Sequence, residues 1–311
     1  MYPTLFTTPS GMGVHVYGLF IMLAFCSAFL LVHLRAPKVG IEPDKLLWTY
    51  AAAAVGGMLG ARFLYAVAVD FDELLANPLS LFSMSGFAVY GGVIGGAVAV
   101  GLTAANLSIP LWKLADIAAP SVLVGYGVGR IGCFFAGCCH GVVAPSGGTP
   151  LLPENLLHGQ LYALPNFPFL TSEVHDGVGR LLHQPLYPTQ LWMATEGLLL
   201  TALMVWMWKH RTFDGQVAGI ALILEGPSRA FIEAYRADER GVVYAFDAPQ
   251  WAINWLPGMF QAGADQSAQI GVTTSQTIAV GMVLLGLSIL VLQRNKGVAP
   301  EIPIVVDENS A

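Results

Sequence analysis

The sequence predicts an all-α integral membrane protein with seven transmembrane helices, the N-terminus outside, the C-terminus cytoplasmic, and extracytoplasmic caps. Three observations carry this reading. Of 311 residues, 55% are hydrophobic and only 11% are charged, against about 25% charged in an ordinary soluble domain. Mean hydropathy is +0.63. Seven apolar runs of bilayer length punctuate the chain, at 14–34, 46–69, 85–107, 112–136, 188–208, 217–235 and 274–293. A chain so poor in charge cannot cover a globular surface, which excludes a cytosolic enzyme. High hydrophobicity with low charge also excludes intrinsic disorder.

Each run has its own signature. The run at 14–34 has no Lys or Arg before it, unlike a cleaved secretory signal. Arg35, Lys38 and Lys45 follow it. The run at 46–69 carries Gly56, Gly57 and Gly60, and the run at 85–107 carries Gly91, Gly92, Gly95, Gly96 and Gly101. Such small residues let membrane helices approach closely. Asp70, Asp72 and Glu73 lie between these two runs, with no basic residue. Lys113 opens the run at 112–136, Lys209 and Arg211 follow 188–208, and Arg294 and Lys296 follow 274–293. Basic residues thus gather at alternate loops, which sets the orientation. A single membrane domain is expected over 1–296, with extracytoplasmic segments at about 140–187 and 236–273 and a cytoplasmic tail at 297–311. The net charge is −6 and no basic cluster occurs, so nucleic acid is not an expected partner.

The remaining basic residues are all arginines: Arg62, Arg130, Arg180, Arg229, Arg236 and Arg240. Arg62, Arg130 and Arg229 lie inside runs or at their ends. An ionisable group there is costly, so it faces a cavity and has a partner. Arg229 and Glu233 stand four apart on one helix face, and Arg236 follows three residues later. One reading is a structural ion pair between helices. The other is a guanidinium site for an anionic headgroup, because the planar fork matches phosphate. The group Cys133, Cys138, Cys139, His140 and Gly141 is read by default as packing in a glycine-rich turn. A structural zinc site wants four ligands at suitable spacing, and no metal is expected. A nucleophilic cysteine beside His140 and Arg130 stays open. Cys26 reads as core. His15, Tyr17 and Tyr90 each read alone as interface or packing residues. No HExxH, P-loop, GxSxG or dinucleotide fingerprint is present.

Taken in order, these motifs resemble the prolipoprotein diacylglyceryl transferase family. His15–Val–Tyr17–Gly18 resembles its HxYG element, and Gly60–Ala–Arg62 with Tyr65 its GAR element. Gly91–Gly92–Val–Ile–Gly95 resembles its GG[LM]IG element. Asp116, Pro120 and Gly129–Arg130–Ile–Gly132–Cys133–Phe134 resemble its long signature. Tyr187–Pro–Thr–Gln190–Leu191 resembles HP[ST]QL, and Ser228–Arg229–Ala–Phe–Ile–Glu233 with Arg236 resembles its late arginine element. The chain departs from the family where Tyr90 replaces a histidine, Cys133 an asparagine, Cys138 a glutamate, Trp192–Met193 a Tyr-Glu pair and Glu225 a tyrosine.

The resemblance implies transfer of the diacylglyceryl group of phosphatidylglycerol to the lipobox cysteine thiol of a preprolipoprotein signal peptide. Glycerol 1-phosphate leaves, no cofactor takes part, and the work occurs in the bacterial inner membrane among its lipids. It implies Arg130 and Arg229 on the phosphate, with Tyr90 or His140 as candidates for the proton acceptor. Substrate-binding roles fall to His15, Tyr17, Arg62, Gly91, Gly92, Gly141, Gln190, Glu233 and Arg236. The departures motivate a second reading, a paralogue that binds phospholipid without transfer or acts on another acceptor. A third is an unrelated transporter, which would show inverted repeats.

Overall fold

An apolar stretch in lipid must satisfy its own backbone, and an α-helix does so within one segment. In a computed structural model of the chain, each of the seven runs holds an α-helix. The structure describes residues 4–7, 13–77, 80–81, 86, 88–139, 141, 174–175, 181–182, 187–236, 242–247, 260–262 and 268–296. The helices are α1 (Val16–His33), α2 (Pro43–Ala68), a short α3 (Phe71–Ala76), α4 (Val89–Asn106), α5 (Leu111–Ala136), α6 (Thr189–His210), α7 (Gln216–Glu233) and α8 (Thr274–Arg294). Among the described residues, five helical segments are long and apolar enough to cross a membrane: Val16–Val39, which holds α1, together with α2, α5, α6 and α8. The apolar part of α4, Tyr90–Asn106, is shorter, and α7 carries Glu225, Arg229 and Glu233. Large apolar side chains face outward along the helices, for example Phe25 at 73%, Val122 at 68% and Val291 at 70% exposure. Such faces are unfavourable in water and suit lipid tails. Cys26, expected in the core, is among the exposed residues.

The expected all-α fold is amended between the helices. β1 (Thr4–Thr7) pairs with β2 (Gly13–His15), and β3 (Val174–His175) with β4 (Leu181–Leu182). β5 (Val242–Asp247), β6 (Phe260–Ala262) and β7 (Ala268–Thr273) form an antiparallel sheet in the order β5-β7-β6. In β7 the apolar Ala268, Ile270 and Val272 alternate with Gln269, Gly271 and Thr273, the two-residue period of a strand. These segments are too short and too polar to span, so they satisfy their backbone by pairing. Most of 140–187 and 236–273, and the tail at 297–311, lie outside the described residues.

The chain divides into two compact units, residues 31–117 with 298–311, and residues 1–30 with 118–297. In the first of these, α2 and α4 meet glycine to glycine. A Cβ on Gly60 would meet the Gly91 carbonyl and lie 2.7 Å from the Gly95 Cα. No side chain separates the two backbones there, as the small-residue reading anticipated.

In the second unit, α1 meets α5 where a Cβ on Gly132 would lie 2.7 Å from the Phe20 Cβ. Phe20 stacks on Phe135 at 5.2 Å between centroids. α5 meets α6 where a Cβ on Gly127 would lie 3.1 Å from the Ala194 carbonyl. α7 meets α8 where a Cβ on Gly226 would lie 2.7 Å from the Ala279 carbonyl. A capping box starts α8: the Gln276 N–H donates to Thr273 Oγ1 at 3.2 Å, and the Thr273 N–H donates to Gln276 Oε1 at 3.0 Å. Pro227 sits inside α7 and removes one backbone donor between Glu225 and Arg229.

Candidate functional site

Chain direction decides which helix ends can share chemistry. In the unit of residues 1–30 and 118–297, the C-terminal half of α5, the first turns of α6 and the C-terminal half of α7 bring their polar residues together. α5 supplies Tyr126 and Arg130, α6 supplies Glu196, and α7 supplies Glu225, Ser228 and Arg229. The Arg130 guanidinium stands 5.1 Å from the Tyr126 ring centroid, a cation–π contact. The Glu196 and Glu225 side chains lie near enough to act on each other electrostatically, and Ser228 acts on Glu196. Arg130 and Arg229 both act electrostatically on this pair. Both Glu196 oxygens, Glu225 Oε2 and the Tyr126 hydroxyl are buried, without a hydrogen-bond partner among the described residues.

The two arginines expected at the phosphate therefore share one electrostatic environment, to which the structure adds Glu196 and Glu225. Glu196 was missing from the sequence reading, although the signal was there. A carboxylate inside the apolar run at 188–208 is as costly as an arginine. Glu225 had been noticed only as a replacement for tyrosine.

A second group lies where α5 ends. Gly137 has φ 71° and Cys139 has φ 61°, so the chain folds back after Ala136. The Cys138 N–H donates to the Cys133 carbonyl at 3.2 Å. Gln190 Nε2 donates to the Cys138 carbonyl at 2.9 Å, and Thr189 Oγ1 to the Cys139 carbonyl at 3.0 Å. Buried Gln190 is thus engaged in holding this turn. The Cys133, Cys138 and Cys139 sulfurs all lie within 4.8 Å of one another. Hydrogen bonds from Cys133 and Cys138, then the Arg236 charge, hold the Cys139 thiol below the ordinary thiol range. Hydrogen bonds with Cys133 and Cys139, and then burial, push the Cys138 thiol up. Tyr17, 42% exposed, lies against Gly132 and within electrostatic range of Arg130 and all three thiols. His15 is exposed. His140 lies outside the described residues.

Glu233 and Arg236 are both 4% exposed. Glu233 Oε2 lies 3.9 Å from Arg236 Nε, an ion pair three residues apart. Arg236 Nη1 donates to Met193 Sδ at 3.5 Å. Gly141 bridges to Arg236, and its N–H donates to the Tyr187 carbonyl at 2.9 Å. A Cβ on Gly141 would lie 2.6 Å from the Tyr187 Cβ and 2.7 Å from the Tyr235 carbonyl. Its missing side chain is explained by this packing. Tyr187, Trp192 and Tyr235 stack edge to face around it, with centroids 5.3–5.6 Å apart. Burial pushes the Tyr187 and Tyr235 phenols up, which keeps both neutral.

The other expected site residues belong to the unit of residues 31–117. Arg62 is 4% exposed. Its Nε and Nη2 donate to the Ser80 carbonyl at 3.0 and 2.7 Å, and Nη1 donates to the Gly86 carbonyl at 3.4 Å. Asp70 lies 3.9 Å away and the Tyr65 ring centroid 5.5 Å away. In this geometry Arg62 ties the α2–α4 connection to α2. An Arg62→Ala variant should lose stability, on the order of 2 kcal/mol for charged hydrogen bonds to buried carbonyls. Melting in detergent would show the loss, with the KM for phosphatidylglycerol unchanged. Gly91 and Gly92 face α2, where a Cβ on Gly92 would lie 3.3 Å from the Gly57 carbonyl. Packing accounts for both glycines. Tyr90 opens α4 in the same unit and is half-buried.

Fold and site together define a class: a multi-helix membrane protein with arginines and carboxylates gathered at one end of a helical bundle. A family model described as prolipoprotein diacylglyceryl transferase matches residues 3–292, and the chain belongs to that family. It is similar to a phosphatidylglycerol–prolipoprotein diacylglyceryl transferase of Clostridium tetani, 32% identical over 252 residues that cover 81% of this chain and 92% of the relative. It is also similar to the enzyme of the same name from Chromohalobacter salexigens, 27% identical over 288 residues that cover 92% and 90% of the two chains. Family membership sets aside the unrelated transporter.

Proposed function

We propose that this protein transfers the diacylglyceryl group of phosphatidylglycerol to the lipobox cysteine thiol of a preprolipoprotein, releasing glycerol 1-phosphate. It is a transferase of lipoprotein biosynthesis. Family membership over nearly the whole chain supports this reading. The observation that carries the mechanism is that Arg130 and Arg229 both act electrostatically on Glu196 and Glu225. The non-transferring paralogue is not favoured, because the motif arginines persist and the relatives are named for the transfer.

In this mechanism Arg130 and Arg229 hold the phosphate of the lipid and stabilise the charge that grows on it. Guanidinium–phosphate bonds are stronger in a water-poor site than in water. The substrate sulfur attacks the glyceryl carbon that bears the phosphate oxygen. The carbon–oxygen bond breaks, a thioether forms, and the electron pair leaves with glycerol 1-phosphate. The thiol proton must go to a base, since a free thiol has a pKa of about 8.5. Glu196 and Glu225 supply that base as a pair. Two cations and two carboxylates balance in formal charge, and a bound phosphate makes the site net negative. Tyr17 lines the approach beside Arg130. Seven spans, with the N-terminus outside, would place this end of the bundle at the outer face of the bacterial inner membrane, where the signal peptide emerges.

The experiment is a transfer assay. Membranes containing the protein are incubated with phosphatidylglycerol and a lipobox peptide, and mass spectrometry looks for the diacylglyceryl thioether. Its formation supports the reading. Correctly inserted protein that binds phosphatidylglycerol and yields no thioether would overturn it in favour of the paralogue. In the same assay Glu225→Gln should slow transfer by about a hundredfold to ten-thousandfold, the usual contribution of a positioned base. Phosphatidylglycerol binding should persist in that variant. An unchanged rate would remove the pair from the mechanism.

A further inference from the structure

The transfer mechanism leaves Cys133, Cys138 and Cys139 without a role. Adjacent cysteines in an extended chain point to opposite sides, which is why the spacing alone reads as turn packing. Here the left-handed backbone at Gly137 and Cys139 turns the chain back on itself, and all three sulfurs converge within 4.8 Å. Left-handed backbone is unfavourable for a residue with a side chain, by about 1–2 kcal/mol. Gln190 and Thr189 hold the carbonyls of this turn in place.

We propose that Cys133, Cys138 and Cys139 form a binding site for a thiophilic divalent cation of the zinc class, three sulfurs from the protein leaving the fourth position to water. The size fits: zinc–sulfur bonds of about 2.3 Å in a tetrahedral site put the sulfurs about 3.8 Å apart. The ligand set fits, since soft thiolates select such ions over hard divalent cations. The charge fits as well. A divalent ion with three thiolates is net negative, and the Arg236 guanidinium beside Cys139 offsets it. Cys133 is buried, Cys139 is half-buried and Cys138 is exposed, so one edge is open for an ion to enter.

The test uses the full chain in detergent, reduced and desalted. It is titrated with Cd2+ and separately with Zn2+. Sulfur-to-cadmium charge-transfer absorption and metal analysis give the stoichiometry. Maleimide labelling read by mass spectrometry reports which thiols are protected. The expected result is one ion per chain, with Cys133, Cys138 and Cys139 protected and Cys26 still labelled. Cys138→Ser, at an exposed position, should lose the absorption band without a change in melting temperature, and Cys26→Ser should keep it. Failure of the reduced protein to take up either ion would overturn the proposal. So would wild-type binding by Cys138→Ser.

Discussion

Replacing Arg130 with alanine is expected to abolish diacylglyceryl transfer while the protein still inserts in the membrane. Arg130 is one of two cations acting on the Glu196–Glu225 pair. Without it, the carboxylates keep one cation, and an anionic headgroup would enter a site already net negative. Loss of one donor to developing charge costs roughly a hundredfold to a thousandfold in rate. Loss of the charge balance adds to that, because breaking a buried ionic network leaves an uncompensated charge worth about 3–5 kcal/mol. Arg130→Lys sharpens the test. It keeps the charge and loses the planar fork that matches phosphate, so it should stay well below wild type. The rate of thioether formation by mass spectrometry reads the effect, and protease protection of the membranes reads insertion. Full activity in Arg130→Ala would sink the assignment.

The largest structural effect is expected from Gly60→Leu. A Cβ at Gly60 would meet the Gly91 carbonyl and sit 2.7 Å from the Gly95 Cα, both parts of a backbone that cannot rotate away. α2 and α4 would have to separate. Overpacking of a tight contact costs typically about 1–3 kcal/mol, and more when backbone rather than a side chain must move. The variant should fail to give a single folded peak in size-exclusion chromatography, or melt far below wild type. Gly101→Leu is the matched control. Gly101 is also in α4, and nothing lies within 4 Å of where its Cβ would be. It should behave like wild type. Equal losses in both variants would show that hydrophobicity or helix propensity, not close approach, sets the outcome.

Much of the fold was legible in the sequence, and particular residues show why. The apolar run at 46–69 became Pro43–Ala68 because a proline at the first helical position and the end of the apolar stretch mark its limits. Gly56, Gly57 and Gly60 of α2 and Gly91, Gly92, Gly95 and Gly96 of α4 were legible as packing, whereas Gly101, read the same way, meets nothing. The strands of residues 242–273 were not, since a search for bilayer-length runs passes over a two-residue alternation as short as that of β7. In the site, Arg130 and Arg229 were legible as charges inside apolar runs. Glu196 carried the same signal and was passed over. Arg62 carried it too, and the structure shows what the sequence did not: Ser80 and Gly86, in the α2–α4 connection, accept from its guanidinium.

The sequence by itself determined where the helices lie and which family the chain belongs to. Helix placement follows from apolar length, since a backbone in lipid must satisfy its own hydrogen bonds. Family follows from motifs spread in order along the chain. Only the tertiary structure decided which polar groups share an environment. Arg130, Glus 196 and 225 and Arg229 come from three helices and have no common period, and the three thiols converge through two left-handed residues that no spacing rule foretells. Charge pairing and sulfur geometry act over a few ångströms, and distances of that kind are set by helix packing, not by position along the chain.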